Sequence, residues 1–362
     1  MQKPWRRTDR ANLGVMGHLV IQAPMAGAGL ALLAIAAARG GALGSIACAA
    51  LTLTRVEEQV SIFRNAVSSP LNMNFFCHVS PDRSLQKLEQ WETALAGEFS
   101  RFEVSSSVTP PFIERMPFDD AACSLVERLR PELVSFHFGL PEAHLLQRVK
   151  ECGATVVASA TSVREAIFLE QNGCDYVIAQ GAEAGGHRGN FLEQDMSRQS
   201  GLFSLLPQVV DAVKVPVIAA GGIADGRGIA AALALGASAV QIGTAYLLTN
   251  ESTIGPAHRA RLDVAEEADT QLTNVFTGRP ARGLVTRLMT DFGPLAASLP
   301  DFPLAGATLA KLLTSAAARD SGDFQPLWAG QSASMAKNIG ATALTLDVLA
   351  QAEHILATLR SG

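Results

Sequence analysis

Short apolar runs alternate along this chain with amphipathic stretches of helical period. Eight runs have the β-branched and aliphatic make-up of buried strands and end in glycine or turn residues: VIQAPM (20–25), GALGSIA (41–47), LNMNFF (71–76), LVSFHFG (133–139), TVVASA (155–160), YVIAQG (176–181), PVIAAGG (216–222) and AVQIGTAYL (239–247). Between them VEEQVSIFRNAV, SVREAIFLEQNG, GLFSLLPQVVDAVK and GRGIAAALALGA read as helices. The alternation predicts an α/β fold, a (β/α)8 TIM barrel with its chemistry at the C-terminal ends of the strands. A doubly wound open sheet competes. It would need a third small residue where Leu32 follows Gly27-Ala28-Gly29, and an acid about 20 residues on, and neither is present.

Two segments break the rhythm, 80–130 and 261–362, both largely helical in pattern (QKLEQWETALAGEF; ASMAKNIGATALTLDVLAQAEHILATL). They are expected to form one smaller, mainly helical cap over the mouth of a barrel made from 10–79 and 131–260.

Composition narrows the function classes. With 362 residues, 48% hydrophobic and 17% charged, the chain can bury a large core and an appended unit. A net charge of -5, with Arg6, Arg7 and Arg10 as the one basic cluster near a terminus, argues against nucleic acid. Five scattered cysteines without a C-x-x-C pair read as reduced thiols, pointing to a cytoplasmic protein and no metal. The apolar run Leu19–Ala38 superficially resembles a signal peptide or membrane span. Gln22, Pro24, Gly27 and Gly29 interrupt it, so it reads as a strand followed by a helix, with no membrane partner.

Candidate chemistry gathers at the strand ends. GGIADG (221–226) and QIGT (241–244) follow the seventh and eighth strands, where barrel loops and a helix N-terminus offer backbone N–H groups to a phosphate. Glycines such as Gly221, Gly222 and Gly243 admit an anion closely, and Thr244 adds a hydroxyl; the bland alternative is a pair of tight turns. Gln22, Asn74 and Gln180 place amides beside apolar strands, suited to a planar heterocycle or, singly, to turn capping. GAEAGGHRG (181–189) crowds four glycines around one acid and one histidine. His137, ending the fourth strand, is a second candidate base, with a satisfied core histidine as its alternative.

GAEAGGHRG, IQAPMAG, GGIADGRGIAAALALGASAVQIGTAYL, FTGRPARGL and LWAGQSA together resemble the nitronate monooxygenases, formerly 2-nitropropane dioxygenases, over nearly the whole chain. The resemblance implies an FMN-dependent barrel with a helical substrate domain that oxidises alkyl nitronates with O2 to carbonyl compounds and nitrite, a nitroalkane-detoxifying activity. It implies that Ala23, Pro24 and Met25 lie along the flavin ring, with Asn74, Gln180, Gly185 and the neighbouring Gly186 against the ring or ribityl chain. Gly222, with Gln241, Ile242, Gly243 and Thr244, would hold the phosphate. His187 would then reach the reactive face, and Glu183 would orient it or form a loop salt bridge. His258 and Arg259 stand where family members commonly carry Tyr then Lys, so His258 and Trp328 are expected to line a substrate pocket otherwise built from tyrosines. An FMN-dependent enoyl reductase using NAD(P)H and a flavin-binding barrel without turnover are the alternative readings. A homo-oligomer is compatible with all three.

Overall fold

The computed structural model describes residues 14–81, 85–104 and 115–361; Arg6, Arg7 and Arg10, and the parts of the expected cap at 82–84 and 105–114, lie outside the described residues. The strands are β1 (Val20–Gln22), β2 (Gly44–Ala47), β3 (Leu71–Phe76), β4 (Leu133–His137), β5 (Thr155–Ala160), β6 (Tyr176–Gln180), β7 (Gly186–His187), β8 (Val217–Ala220), β9 (Ala239–Ile242), β10 (Thr270–Thr273) and β11 (Ala281–Leu284). Eight of them form one parallel sheet in the order β1-β9-β8-β6-β5-β4-β3-β2. A parallel bridge between Ile21 and Leu43 joins its two edges, so the sheet closes on itself as the (β/α)8 barrel that the alternation predicts.

The strands are buried on both faces, which is why they read as continuous apolar runs. The helices start at local signals: Thr52, Asp119, Ser162 and Asp225 each accept a hydrogen bond from a first-turn N–H. The apolar run after Leu19 is β1 followed by helix Ala31–Arg39, which buries most of its residues. No helix among the described residues is long and apolar enough to cross a membrane.

A second core unites Trp91, Leu95 and Phe99 with Val275, Phe276, Leu288, Met289, Leu309 and Phe324. Three features of this unit differ from the expected cap. Helix Asp120–Leu129 gives Ala122, Cys123, Leu125 and Val126 to the barrel core, and helix Ala341–Ser361 gives it Leu344, Val348 and Ala352. The unit also carries a three-stranded antiparallel sheet, β10-β11-β7, in which Ala281 pairs with His187. The C-terminal helix reaches the barrel because glycine lets it: a Cβ on Gly226 would stand 2.4 Å from Gln351 Cβ, and one on Gly40 2.5 Å from Thr345 Cβ. Such patterning is invisible in an Ala-rich helix read alone.

Gly226→Leu should therefore lower the unfolding free energy by roughly 1–3 kcal/mol in urea titrations, the usual cost of overpacking. Gly97→Ala, on a helix with nothing within 4 Å of the added carbon, should be neutral or gain up to about 1 kcal/mol. Equal effects at the two positions would contradict this docking.

Candidate active site

Val15, Leu43, Leu133 and Ala239 fill the barrel at the beginnings of its strands. The opposite end is open, and a cavity of about 670 Å³ lies there beneath the second unit. Its wall brings together Ala23, Pro24 and Met25 after β1, Asn74 of β3, His137 of β4, Gln180 of β6, and Gly185, Gly186 and His187 around β7. Gly221 and Gly222 after β8, Gln241, Gly243 and Thr244 around the end of β9, His258 and Trp328 complete that set. Two expected residues lie elsewhere. Gln22 is fully buried and its Oε1 accepts from Ser45 N at 3.0 Å, stitching β1 to β2. Ile242 turns its side chain into the core between sheet and helices.

Amide chemistry inside the cavity divides. Asn74 Nδ2 donates to Ser135 O and Oγ at 3.2 and 3.0 Å, which leaves its carbonyl oxygen uncommitted by those bonds. Gln180 instead spends both ends on the following loop: Nε2 donates to His187 O at 3.0 Å and Oε1 accepts from Gly189 N at 2.7 Å. Arg188, wholly buried, donates to Gly181 O at 2.6 Å, Gln180 O at 2.8 Å and Gln199 Oε1. Burial without a carboxylate partner brings its pKa down to about 10. Glu183 orients neither histidine; both its oxygens accept from Leu202 N at the start of helix Leu202–Ala212.

Beside the loop that carries Glu183, the backbone N–H groups of Gly222, Ile223, Gly243 and Thr244 have no protein acceptor among the described residues. Thr244 Oγ1 accepts from Gly330 N at 2.9 Å, so its own proton is left to donate. A Cβ on Gly243 would stand 3.4 Å from Ala23 Cβ and 3.6 Å from Met25 Sδ, narrowing the space between the first and last barrel strands. The start of helix Gly226–Ala234, expected to share in anion binding, is capped by the Asp225 carboxylate. The donors are therefore the loops themselves. A second depression of about 630 Å³ lies outside the barrel against the C-terminal helix, but its Arg227 and Lys337 are already paired with Asp225 and Asp347.

His187 lines the same cavity. Its Nε2 lies 3.0 Å from Thr277 Oγ1. Thr277 donates to Arg279 O at 3.2 Å, so the hydroxyl oxygen accepts the Nε2–H and Nδ1 keeps the lone pair. Phe76, Phe138, Phe302 and Trp328 surround the ring at 5.3–6.1 Å between centroids. Burial, then the positive charge of Arg115, holds its pKa well below 6.5. His137 Nε2 donates to His187 O at 3.2 Å, and burial lowers its pKa to about 4. His258, its Nε2 buried without a partner, is likewise lowered to about 4, first by burial. Thr277, Phe302 and Arg115 were not singled out as site residues: Thr277 stands within FTGRPARGL, but its place beside His187 comes only from the packing of the second unit, as does that of Phe302, and Arg115 is delivered by the segment before helix Asp120–Leu129.

A closed barrel whose strand ends converge on one cavity, bordered by free N–H groups on one wall and a neutral imidazole on another, is built as an enzyme for a small molecule. The chain belongs to the nitronate monooxygenase family, whose profile, described as "Nitronate monooxygenase", matches residues 9–351. It is 38% identical over 342 residues to the nitronate monooxygenase of Pseudomonas aeruginosa (93% of this chain, 97% of that one), and 35% identical over 339 residues to a probable nitronate monooxygenase of Staphylococcus saprophyticus (93% and 95%). Among solved structures, nitroalkane oxidase from Streptomyces ansochromogenes superposes with a TM-score of 0.86 at 36% identity (94% and 97% covered). FabK from Thermotoga maritima superposes with 0.69 at 28% (95% and 96%). The protein is accordingly an oxidoreductase of a family that oxidises nitronates or nitroalkanes.

The depressed imidazoles make stability depend on pH with a definite sign. Unfolded histidine takes its proton near 6.5, whereas His137 and His258 wait until about 4, so acidification across that window protonates the unfolded chain first and lowers stability. His258→Gln should flatten the fall between those limits by up to about 1.4 kcal/mol per pH unit, measured by urea unfolding at stepped pH. An unchanged slope would mean that His258 titrates normally.

Proposed function

We propose that this protein is an FMN-dependent nitronate monooxygenase that uses O2 to convert alkyl nitronates to carbonyl compounds and nitrite. The observation that carries the reading is that one cavity is lined both by the free N–H groups of Gly222, Ile223, Gly243 and Thr244 and by His187. The cradle suits a flavin mononucleotide: those uncharged donors match a phosphate, and Gly243 keeps the passage along Ala23 and Met25 clear of a side chain. Asn74 and Gly185 would flank the ring, with Gln180 placing the loop rather than contacting the ring through a free amide end. Bound there, FMN would supply the redox chemistry between the substrate and O2.

The chain's own residues bind the substrate and handle its proton. His187 Nδ1, with its lone pair exposed to the cavity wall and Nε2–H fixed on Thr277, removes the α-proton of a neutral nitroalkane; a nitronate has already lost it. Phe76, Phe302 and Trp328 exclude water around that nitrogen. Because the imidazole is neutral well below pH 6.5, the limb in which its deprotonation raises the rate falls on the acid side of that value.

His187→Asn should slow a neutral nitroalkane by roughly 10²- to 10⁴-fold and the matching nitronate much less, read as nitrite release and O2 uptake without NAD(P)H. Equal losses would assign His187 to binding. NADPH oxidation dependent on an enoyl thioester, with no nitrite from nitronates, would identify an enoyl reductase instead. Gly222→Asp should place a negative charge at the phosphate and yield protein without bound flavin; full occupancy would remove the phosphate assignment.

A further inference from the structure

The barrel mouth gathers cations without the acids that would ordinarily answer them. Arg115, just before helix Asp120–Leu129, lines the cavity, and among the described residues its guanidinium has no hydrogen-bond or carboxylate partner. Burial alone acts on its pKa, pulling it down. A partly desolvated guanidinium without a counter-charge is unfavourable, and an anion entering the cavity relieves that cost.

Its surroundings reinforce the vacancy for negative charge. Arg279 lies 3.9 Å above the Phe138 ring, itself 5.8 Å from the His187 ring, and its Nε is buried without a partner. His78 is 4% exposed and packs near the main chain of Arg115, and its ring nitrogens are buried. The carboxylate in the cavity wall, Glu183, is tied through both oxygens to Leu202 N. Arg279 is committed to Phe138 and Asn190 O, which leaves Arg115 as the cation with an uncommitted fork.

We infer that Arg115 binds the charged nitro end of the substrate, taking its two oxygens on the guanidinium fork while neutral His187 faces the α-carbon. This rests on the nitronate reading above. A planar O–N–O edge matches the parallel N–H pair of arginine, and lysine offers only a point charge. The same contact favours the anion over the neutral nitroalkane of identical skeleton, because only the anion neutralises the site.

Nitrate, planar and inert to oxidation, reports this contact without turnover. Calorimetric titration of the purified protein with nitrate should show binding that Arg115→Gln weakens by roughly 10- to 100-fold and that Arg115→Lys restores in part. The KM for a nitronate should rise by a similar factor in Arg115→Gln with a smaller change in kcat, while the KM of the neutral nitroalkane stays level. No nitrate binding by the parent protein, or nitrate affinity and nitronate KM both unchanged in Arg115→Gln, overturns the inference. Nitrate binding that depends on Arg115 in a protein releasing no nitrite from nitronates would keep the anion site and discard the nitronate reading.

Discussion

The carbonyl oxygen of His187 accepts two hydrogen bonds, from Gln180 Nε2 and His137 Nε2, and much of the site's geometry depends on that junction. The loop after β6 must leave the barrel, pass over its mouth and pair with β11, and this carbonyl is where the loop is tied back to the strands. Close approach makes the glycines obligatory. A Cβ on Gly185 would stand 2.5 Å from Gly330 N, and one on Gly189 2.9 Å from His137 Cε1. Arg188, between them, turns inward and holds the carbonyls of Gln180, which ends β6, and of Gly181. The same few residues therefore close the cavity and aim an imidazole into it.

Electrostatics follow from the same packing. Aromatic rings from the barrel and from the second unit enclose His187, and its charged neighbours are arginines. Burial and like charge both oppose protonation, so the ring is a neutral base in a basic surrounding, a combination suited to substrates that are anionic or become so. His137 is kept neutral by burial and serves the junction through its Nε2–H.

Much of this was legible before the fold was known, and the exceptions have physical causes. β3 and β5 were read to the residue, because a fully buried strand is a closed apolar run. The loops after β8 and β9 carried their glycines in plain view. Gln22 and Gln180 look alike in sequence, an amide ending a strand, yet one stitches two strands and the other clamps a loop; only the neighbouring backbone distinguishes them. The resemblance implies a phosphate role for Ile242 alongside Gly243, but strand alternation turns its side chain to the opposite face. The C-terminal helix was assigned to the cap because its barrel contacts, Gly40 and Gly226, are far away in sequence. Arg115 carries no motif, and Thr277, though inside FTGRPARGL, acquires its role only beside His187.

His187 remains a neutral, Nε2-protonated imidazole in the folded enzyme. Two-bond ¹H–¹⁵N correlation spectra of the flavin-loaded protein with ¹⁵N-labelled histidine, followed from about pH 8 down to about pH 5, test it directly. His187 should show the shifts of the neutral Nε2–H form at pH 6 and no midpoint at or above 6.5. A normal titration centred on 6.5, or a neutral ring protonated on Nδ1, would contradict it.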